Sequence, residues 1–283
     1  AVDLPTGVDA DSGAIARRAV RADLTVTFAA PKRGHFLYPG RAFVGALEVV
    51  DIGIDPRAIA ATATRVHLAS PSDMAALLPT RDPRAHKKSA GHVLVIGGSP
   101  GLTGALALAA RAAMRSGAGY VQVAAPASLH DVLETKLTEE MTLRLPETGE
   151  RSLALGALEP LLAAADSAHV VALGSGLSRT EESLELARRF VARCRKPLVL
   201  DADGLNAFER SRPALAERPV APRVLTPHLG EMERLTGVAA AELEANRIDV
   251  AREWAERWQS VVVLKGAPTV TAGHDGIVTH GAF

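Results

Sequence analysis

The chain has 283 residues, 47% of them hydrophobic, which is long enough for one large domain with a fragment or for two modest domains. Lys+Arg and Asp+Glu both number 32, so the net charge gives none of the strong cationic field that binding nucleic acid or an anionic membrane would use. The only cysteine, Cys194, excludes an intrachain disulfide and a cysteine-based zinc site, and no apolar run approaches the ~20 residues of a membrane span.

The opening residues AVDLPTGVDADSG lack the charged-then-apolar layout of a signal peptide, so the cytoplasm is the expected location. Val2-Asp3-Leu4-Pro5 reads as the exit of a strand whose partners precede it, and an incomplete chain is expected. Residues 1–55 carry two β-type runs, Leu24–Phe28 and Ala46–Ile52, around the turn-rich PKRGHFLYPGR, the pattern of the tail of an α/β domain. Residues 56–88 hold four prolines and end in the polar run RDPRAHKK, which predicts a linker.

From residue 89 onward apolar runs alternate with helical patterns. The spacing predicts strands at Val93–Ile96, Tyr120–Ala124, His169–Leu173, Leu198–Leu200, Arg223–Leu225 and Val261–Lys265. It predicts helices at Ala105–Ser116, Leu153–Ala165, Thr180–Cys194, Leu229–Thr236 and Glu242–Trp258. Strand followed by helix, repeated, argues for an α/β fold with a parallel sheet covered on both faces. In Glu242–Trp258 the residues Ile248, Ala251, Trp254, Ala255 and Trp258 share one face, and both tryptophans are expected to be core anchors. Cys194 is expected to be a small buried thiol. Two β runs, Pro268–Ala272 and Ile277–Thr279, flank Gly273-His274-Asp275-Gly276, a hairpin signal.

In an open parallel sheet ligands collect beyond the carboxyl ends of the strands, and the chemistry-bearing residues fall at those places. They are Gly97-Gly98-Ser99-Pro100-Gly101-Leu102-Thr103-Gly104-Ala105, Gly174-Ser175-Gly176-Leu177, Asp201-Ala202-Asp203-Gly204, Thr226-Pro227-His228-Leu229-Gly230-Glu231 and Lys265-Gly266-Ala267-Pro268-Thr269. Each has a bland reading: a tight βα turn, a helix cap for Asp203, a cap and a surface residue for His228 and Glu231, a solvated lysine. Asp201, nearer its strand, is the better site candidate of the two aspartates. Five such loops in one chain point to a site for phosphate and hydroxyl groups.

The segments GHVLVIGGSPGLTGA, SGAGYVQVAAP, LGSGL, PLVLDADGLN, LTPHLGEMERLTG and VVVLKGAPTV resemble the NAD(P)H-hydrate dehydratase family from about Ser89 nearly to the end. VDLPTGVDADSG with ADLTVTFAAPKRGHFLYPGRAFVGALEVVDIGI resembles the closing portion of an NAD(P)H-hydrate epimerase domain. The two together resemble the bifunctional repair enzymes that restore hydrated NADH and NADPH. The resemblance implies a ribokinase-like domain at 89–283 preceded by part of a Rossmann-like domain at 1–55. It implies ADP, magnesium and potassium as cofactors and NAD(P)H hydrate as the small-molecule partner. A homo-oligomer is expected, without nucleic acid or membrane.

Carried over by residue, the resemblance implies that Ala105, Gly176 and His228 line the hydrate site. Lys265, Gly266, Ala267, Pro268 and Thr269 would contact the adenine nucleotide. Asp3 would serve the epimerase as its acid–base residue, and Thr6 would be a potassium ligand where many relatives have Ser. Asp201 and Glu231 are added as charged neighbours of magnesium or phosphate. The family pattern continues into a G-x-G-D motif that these residues lack, so this chain alone is expected to turn over poorly or not at all. The competing readings are a ribokinase-like kinase for a small alcohol such as a vitamin precursor, and a non-catalytic nucleotide-binding protein. A Rossmann dehydrogenase would need an acid ending the strand Tyr120–Ala124, where the chain has Ala125-Pro126.

Overall fold

The computed structural model describes residues 1–62, 64–80, 82–209, 212–217 and 219–281. Its first segment is a small parallel sheet of β1 (Leu24–Phe28) and β2 (Ala46–Val50), with α1 (Arg41–Val44) leading into β2. Val2 forms an isolated parallel bridge with Val26, outside any strand, and Asp3 N–H donates to Val26 O at 2.7 Å.

The second sheet is large and takes the order β3-β12-β11-β10-β9-β8-β7-β4-β5-β6. Its strands are β3 (Val66–Ala69), β4 (His92–Ile96), β5 (Tyr120–Pro126), β6 (Met141–Leu145), β7 (Val170–Leu173), β8 (Leu198–Leu200), β9 (Arg223–Leu225), β10 (Val261–Leu264), β11 (Val270–Ala272) and β12 (Val278–Gly281). From β6 through β10 every neighbour is parallel, and only the β10-β11-β12 meander runs antiparallel.

Alternation along each strand separates two cores. Val95, Val121 and Val123 face α4 (Thr103–Arg115) and α5 (His130–Lys136), burying Leu106, Ala110 and Leu133. Leu94, Ile96, Val171 and Leu173 belong to the larger core, with α6 (Leu158–Ser167), α7 (Glu181–Arg193), α10 (Leu229–Thr236) and α12 (Arg247–Arg257). Phe190, Met232 and Trp258 are fully enclosed there, and each such side chain contributes roughly 1.5–3 kcal/mol of transfer free energy. The mostly parallel, doubly covered α/β sheet agrees with the expectation, because strands buried on both faces read as unbroken apolar runs.

Several elements differ from the sequence reading. The segment 56–88 carries α2 (Pro56–Ala60), β3 and α3 (Pro71–Leu77), and β3 pairs in parallel with β12, Val66 opposite Val278. A short strand with one half-buried face has too few apolar residues to show a period. The region expected to be one helix at Leu153–Ala165 opens as a 3-10 turn, Leu155–Ala157, before α6. The predicted helix Glu242–Trp258 is two helices, α11 (Ala240–Ala245) and α12, because Asn246 leaves helical geometry at φ −123° and ψ 32°. Of the predicted apolar face Ile248, Ala251, Ala255 and Trp258, which follows α12, are buried, whereas Trp254 is only partly buried against that core, its ring 4.9 Å from that of Trp258. Cys194 closes α7 as a buried thiol whose pKa burial pushes up.

The strand order has one consequence for function. The chain runs from β4 outward to β5 and β6, then returns to β4's other side with β7 and continues to β8, β9 and β10. Between β4 and β7 the connections leave in opposite directions, so the two following loops part and open a crevice there.

Candidate functional site

The carboxyl ends of β4, β7, β8, β9 and β10 are consecutive along one rim. At the usual ~4.8 Å strand spacing the rim is about 19 Å long. Its loops are laced by backbone contacts that step from strand to strand.

At the crevice, Gly98 N–H donates to Ser175 O at 3.2 Å and Ser99 Oγ donates to Gly176 O at 3.0 Å. Gly176 sits at φ +67°, with Leu102 O 2.6 Å from where a Cβ would stand, so only glycine fits. Leu102 O also accepts from Ala105 N–H at 3.2 Å, which brings the first turn of α4 beside Gly176. Gly104 and Ala105 are exposed, and no atom lies within 4 Å of a Cβ built on Gly104, so this mouth of the crevice is open. Lys136 at the end of α5 reaches the same turn, its Nζ donating to Thr103 Oγ1 at 2.7 Å.

The next loop presses directly on this one. A Cβ at Gly174 would lie 1.9 Å from Asp201 O. Ala202 takes φ 49° and ψ −119°, a conformation costing of order 1–3 kcal/mol for a residue with a side chain. That strain sits between Asp201 and Asp203. Asp203 is the first residue of α8 (Asp203–Asn206), which α9 (Arg212–Ala216) follows, and accepts from Ser178 N–H at 3.1 Å and from Asn206 Nδ2 at 3.0 Å. It ties two loops together and is not the N-cap, which is Ala202.

Asp201 is the hinge of a polar cluster. Its Oδ1 accepts from Thr226 Oγ1 at 2.8 Å and from Lys265 Nζ at 2.8 Å. Lys265 Nζ is also 3.7 Å from Oε2 of Glu231, whose side chain is only 5% exposed. His228 is the N-cap of α10, and its Nδ1 accepts from Gly230 N–H at 3.0 Å and Glu231 N–H at 3.3 Å, while Glu231 Oε2 accepts from His228 N–H at 2.8 Å. With Nδ1 an acceptor twice over, the neutral ring carries its proton on Nε2, 3.5 Å from Glu231 Oε1. A capping box therefore orients both the imidazole and the buried carboxylate, which its hydrogen bond and the nearby ammonium compensate.

Lys265 N–H donates to Pro227 O at 2.8 Å, joining the last two loops. In the turn that follows, Thr269 Oγ1 donates to Gly266 O at 3.1 Å, and the Ala267–Pro268 bond is cis. Gly176, Asp201, His228, Glu231 and the run Lys265–Thr269 thus share the rim with Ala105. Thr226, Lys136 and Arg247 behind the 265–269 turn are additions that sequence reasoning missed. Thr226 lay within a quoted motif, but Lys136 and Arg247 stood in helical patterns with no signal that they face this rim.

The two carboxylates Asp201 and Glu231 converge on one point that the Lys265 ammonium fills. Among the described residues no group of three or more His, Cys, Asp or Glu is arranged for a metal. Magnesium between these two carboxylates would require the Lys265 ammonium to move onto a bound phosphate, with waters and phosphate oxygens completing the ion's ligands.

The first segment builds a separate cluster. Asp3, at φ +62°, accepts from Lys32 Nζ and, at 2.9 Å, from Thr27 Oγ1, and this pairing holds its carboxyl below the usual aspartate range. His35 is fully buried; its Nδ1 accepts from Lys32 N–H at 3.0 Å and its Nε2 lies 2.8 Å from Asp3 O. Thr6 stands exposed in the turn after Pro5, and its carbonyl oxygen accepts from Val20 N–H at 2.9 Å. One hydroxyl does not make a cation cage.

The model of the NAD(P)H-hydrate dehydratase family matches residues 93–282, and that of YjeF-related protein N-termini matches residues 1–34. The chain is 44% identical over 278 residues to the bifunctional NAD(P)H-hydrate repair enzyme Nnr of Moorella thermoacetica, covering 98% of this chain and 52% of that one. It is 38% identical over 200 residues to the ADP-dependent (S)-NAD(P)H-hydrate dehydratase of Xanthomonas campestris, covering 70% of this chain and 66% of that one. Among solved structures it is similar to the ADP/ATP-dependent NAD(P)H-hydrate dehydratase of Bacillus subtilis co-crystallised with ATP/Mg2+. The TM-score is 0.62 at 33% identity, over 78% of this chain and 74% of that one. The chain spans about half the length of the bifunctional relatives it matches. Among the described residues no helix is long and apolar enough to cross a membrane.

Proposed function

Because the chain belongs to the NAD(P)H-hydrate dehydratase family, we propose that it is the dehydrating part of a repair enzyme for NADH and NADPH whose nicotinamide ring has taken up water. ADP would donate a phosphoryl group to the hydroxyl of the (S)-hydrate. Loss of that oxygen as phosphate, with a proton from the neighbouring ring carbon, would restore the double bond. The observation that carries this reading is the Asp201–Lys265–Glu231–His228 cluster at the end of the rim, continuous through Gly176 with the open crevice at Ala105.

Each residue has a proposed task. Lys265 meets the nucleotide phosphates, and Gly266, Ala267, Pro268 and Thr269 lie along the nucleotide. His228, Gly176 and Ala105 border the hydrate. Asp201 and Glu231 would hold magnesium, which when bound with ADP neutralises phosphate charge. With little covalent work for side chains in phosphoryl transfer, catalysis rests on positioning and on charge already oriented before substrate arrives. In the first segment, proposed as the epimerase part at 1–55, Asp3 would exchange the ring proton or hydroxyl during interconversion of R and S hydrates, and Thr6 would contribute to a potassium site. Residues 56–88 would join the two parts and 89–283 would be the dehydratase. The same reading places the protein in the cytoplasm as a homo-oligomer.

The test adds a protein that carries this chain at the full length of its bifunctional relatives to NADH hydrate with ADP and magnesium and follows the dihydropyridine absorbance. Recovery that needs all three supports the proposal; no recovery under any nucleotide overturns it.

A further inference from the structure

Arg247 is buried to 3% of its surface, yet it is the first residue of α12, where a cation opposes the helix dipole. Helix stability gives no reason for it, and a buried guanidinium needs several acceptors at once. They come from the loop after β10. Arg247 Nη2 donates to Lys265 O at 3.1 Å and Nε donates to Pro268 O at 3.2 Å, while Nη1 pairs with Glu244 at 2.8 Å. The two carbonyls bracket Gly266 and Ala267. A Cβ at Gly266 would lie 1.6 Å from Arg247 Nη2, so the guanidinium and the bare glycine fit against each other.

We infer that Arg247 is a positioning residue for the nucleotide: its fork holds the Lys265–Pro268 turn in the shape that presents the Lys265 ammonium and the loop backbone to ADP. This rests on the assignment of that loop to ADP in the preceding reading. Asn246, between α11 and α12, leaves helical geometry immediately before Arg247. Lys in place of Arg supplies one point donor instead of a planar fork and cannot hold both carbonyls.

The experiment compares ADP affinity by calorimetry, in magnesium, for the unaltered protein, Arg247→Lys and Arg247→Met, with circular dichroism and melting temperature for each. The expected result is native circular dichroism with ADP binding weakened at least about tenfold in Arg247→Met and by less in Arg247→Lys. In a protein that carries the chain at the full length of its bifunctional relatives, steady-state rates should show a raised KM for ADP, with KM for the hydrate little changed. Folded variants that bind ADP within twofold of the unaltered protein overturn the inference. So does loss of the fold in both variants, which would make Arg247 a core residue only. If the unaltered protein itself binds no ADP, the nucleotide assignment fails first, an outcome separate from either of these.

Discussion

Lys265 and Asp201 stand at the ends of strands separated by β9, and the lysine ammonium reaches across that strand to within 2.8 Å of Asp201 Oδ1. Thr226, at the end of the strand between them, donates to the same oxygen. Both charged side chains are about two-fifths exposed, at 41% and 38%, a setting in which an ion pair contributes ~1 kcal/mol or less to stability. The pair therefore matters for what it presents rather than for what it holds together.

Lys265→Ala should lower stability by under ~1 kcal/mol while weakening ADP binding at least about tenfold. Thermal melts and calorimetry on the same samples read the two effects separately. A large drop in melting temperature with unchanged ADP affinity would assign Lys265 to the fold.

Glu231 serves two roles that two substitutions separate. Glu231→Ala removes the acceptor for His228 N–H and should cost ~1 kcal/mol, the usual loss at a helix cap. Glu231→Gln keeps an acceptor there and should melt close to the parent, yet should turn over more slowly and need more magnesium. Equal magnesium requirement for Gln and Glu would remove Glu231 from the cation site.

Gly174→Ala should destabilise by more than ~2 kcal/mol, because it combines a left-handed conformation at φ +126° with a Cβ 1.9 Å from Asp201 O. Gly101→Ala is the control, with φ +80° but no atom within 4 Å of the new carbon. It should cost only the conformational part, roughly 1–2 kcal/mol. Urea melts giving the same loss for both would show that the approach of the two loops is not tight.

His35 makes the first segment acid-sensitive. Burial is the main cause of its lowered pKa, and Nδ1 already accepts a backbone hydrogen bond, so a second ring proton has no place. Below the ordinary histidine value of 6.5 the unfolded chain binds a proton that the folded chain refuses, so stability is full above that pH and falls as the solution is acidified. Asp3, also lowered, adds its loss only further down, as pH falls through its own depressed pKa. The protection of the β1 amides, taken relative to intrinsic exchange at each pH, should fall between pH 7 and pH 5.5 and stay flat over that range in His35→Asn; a fall in both would point elsewhere.

Removing residues 1–88 should strip β3 from β12 and leave β12 as an unpaired edge. Such a chain should melt lower and scatter more light with concentration than one beginning at residue 56. Identical behaviour of the two would make β3 dispensable and 89 a true boundary.

Much of the architecture was legible because burial imposes a local pattern. Leu198–Leu200 and Val261–Leu264 read as strands from unbroken apolar runs, and α12's core face read from its helical spacing. The strands β3 and β6 were not legible, since VHLA and MTLRL lie at the sheet's two ends and bury only part of each face. The candidate residues were legible as loops after strands, a pattern confined to a few neighbours in the chain.

By itself the sequence determined the alternation of strand and helix, the glycine- and acid-bearing turns, and a likeness to one enzyme family. Only the tertiary structure decided that β7 returns to β4, that Lys265 closes on Asp201 64 residues away, and that Arg247 braces the turn behind them. Propensity and hydrophobic period act over a turn or two of chain, whereas strand order follows from the direction of each crossover and from which faces pack. Contacts between strand ends are set by that order, and no stretch of sequence contains it.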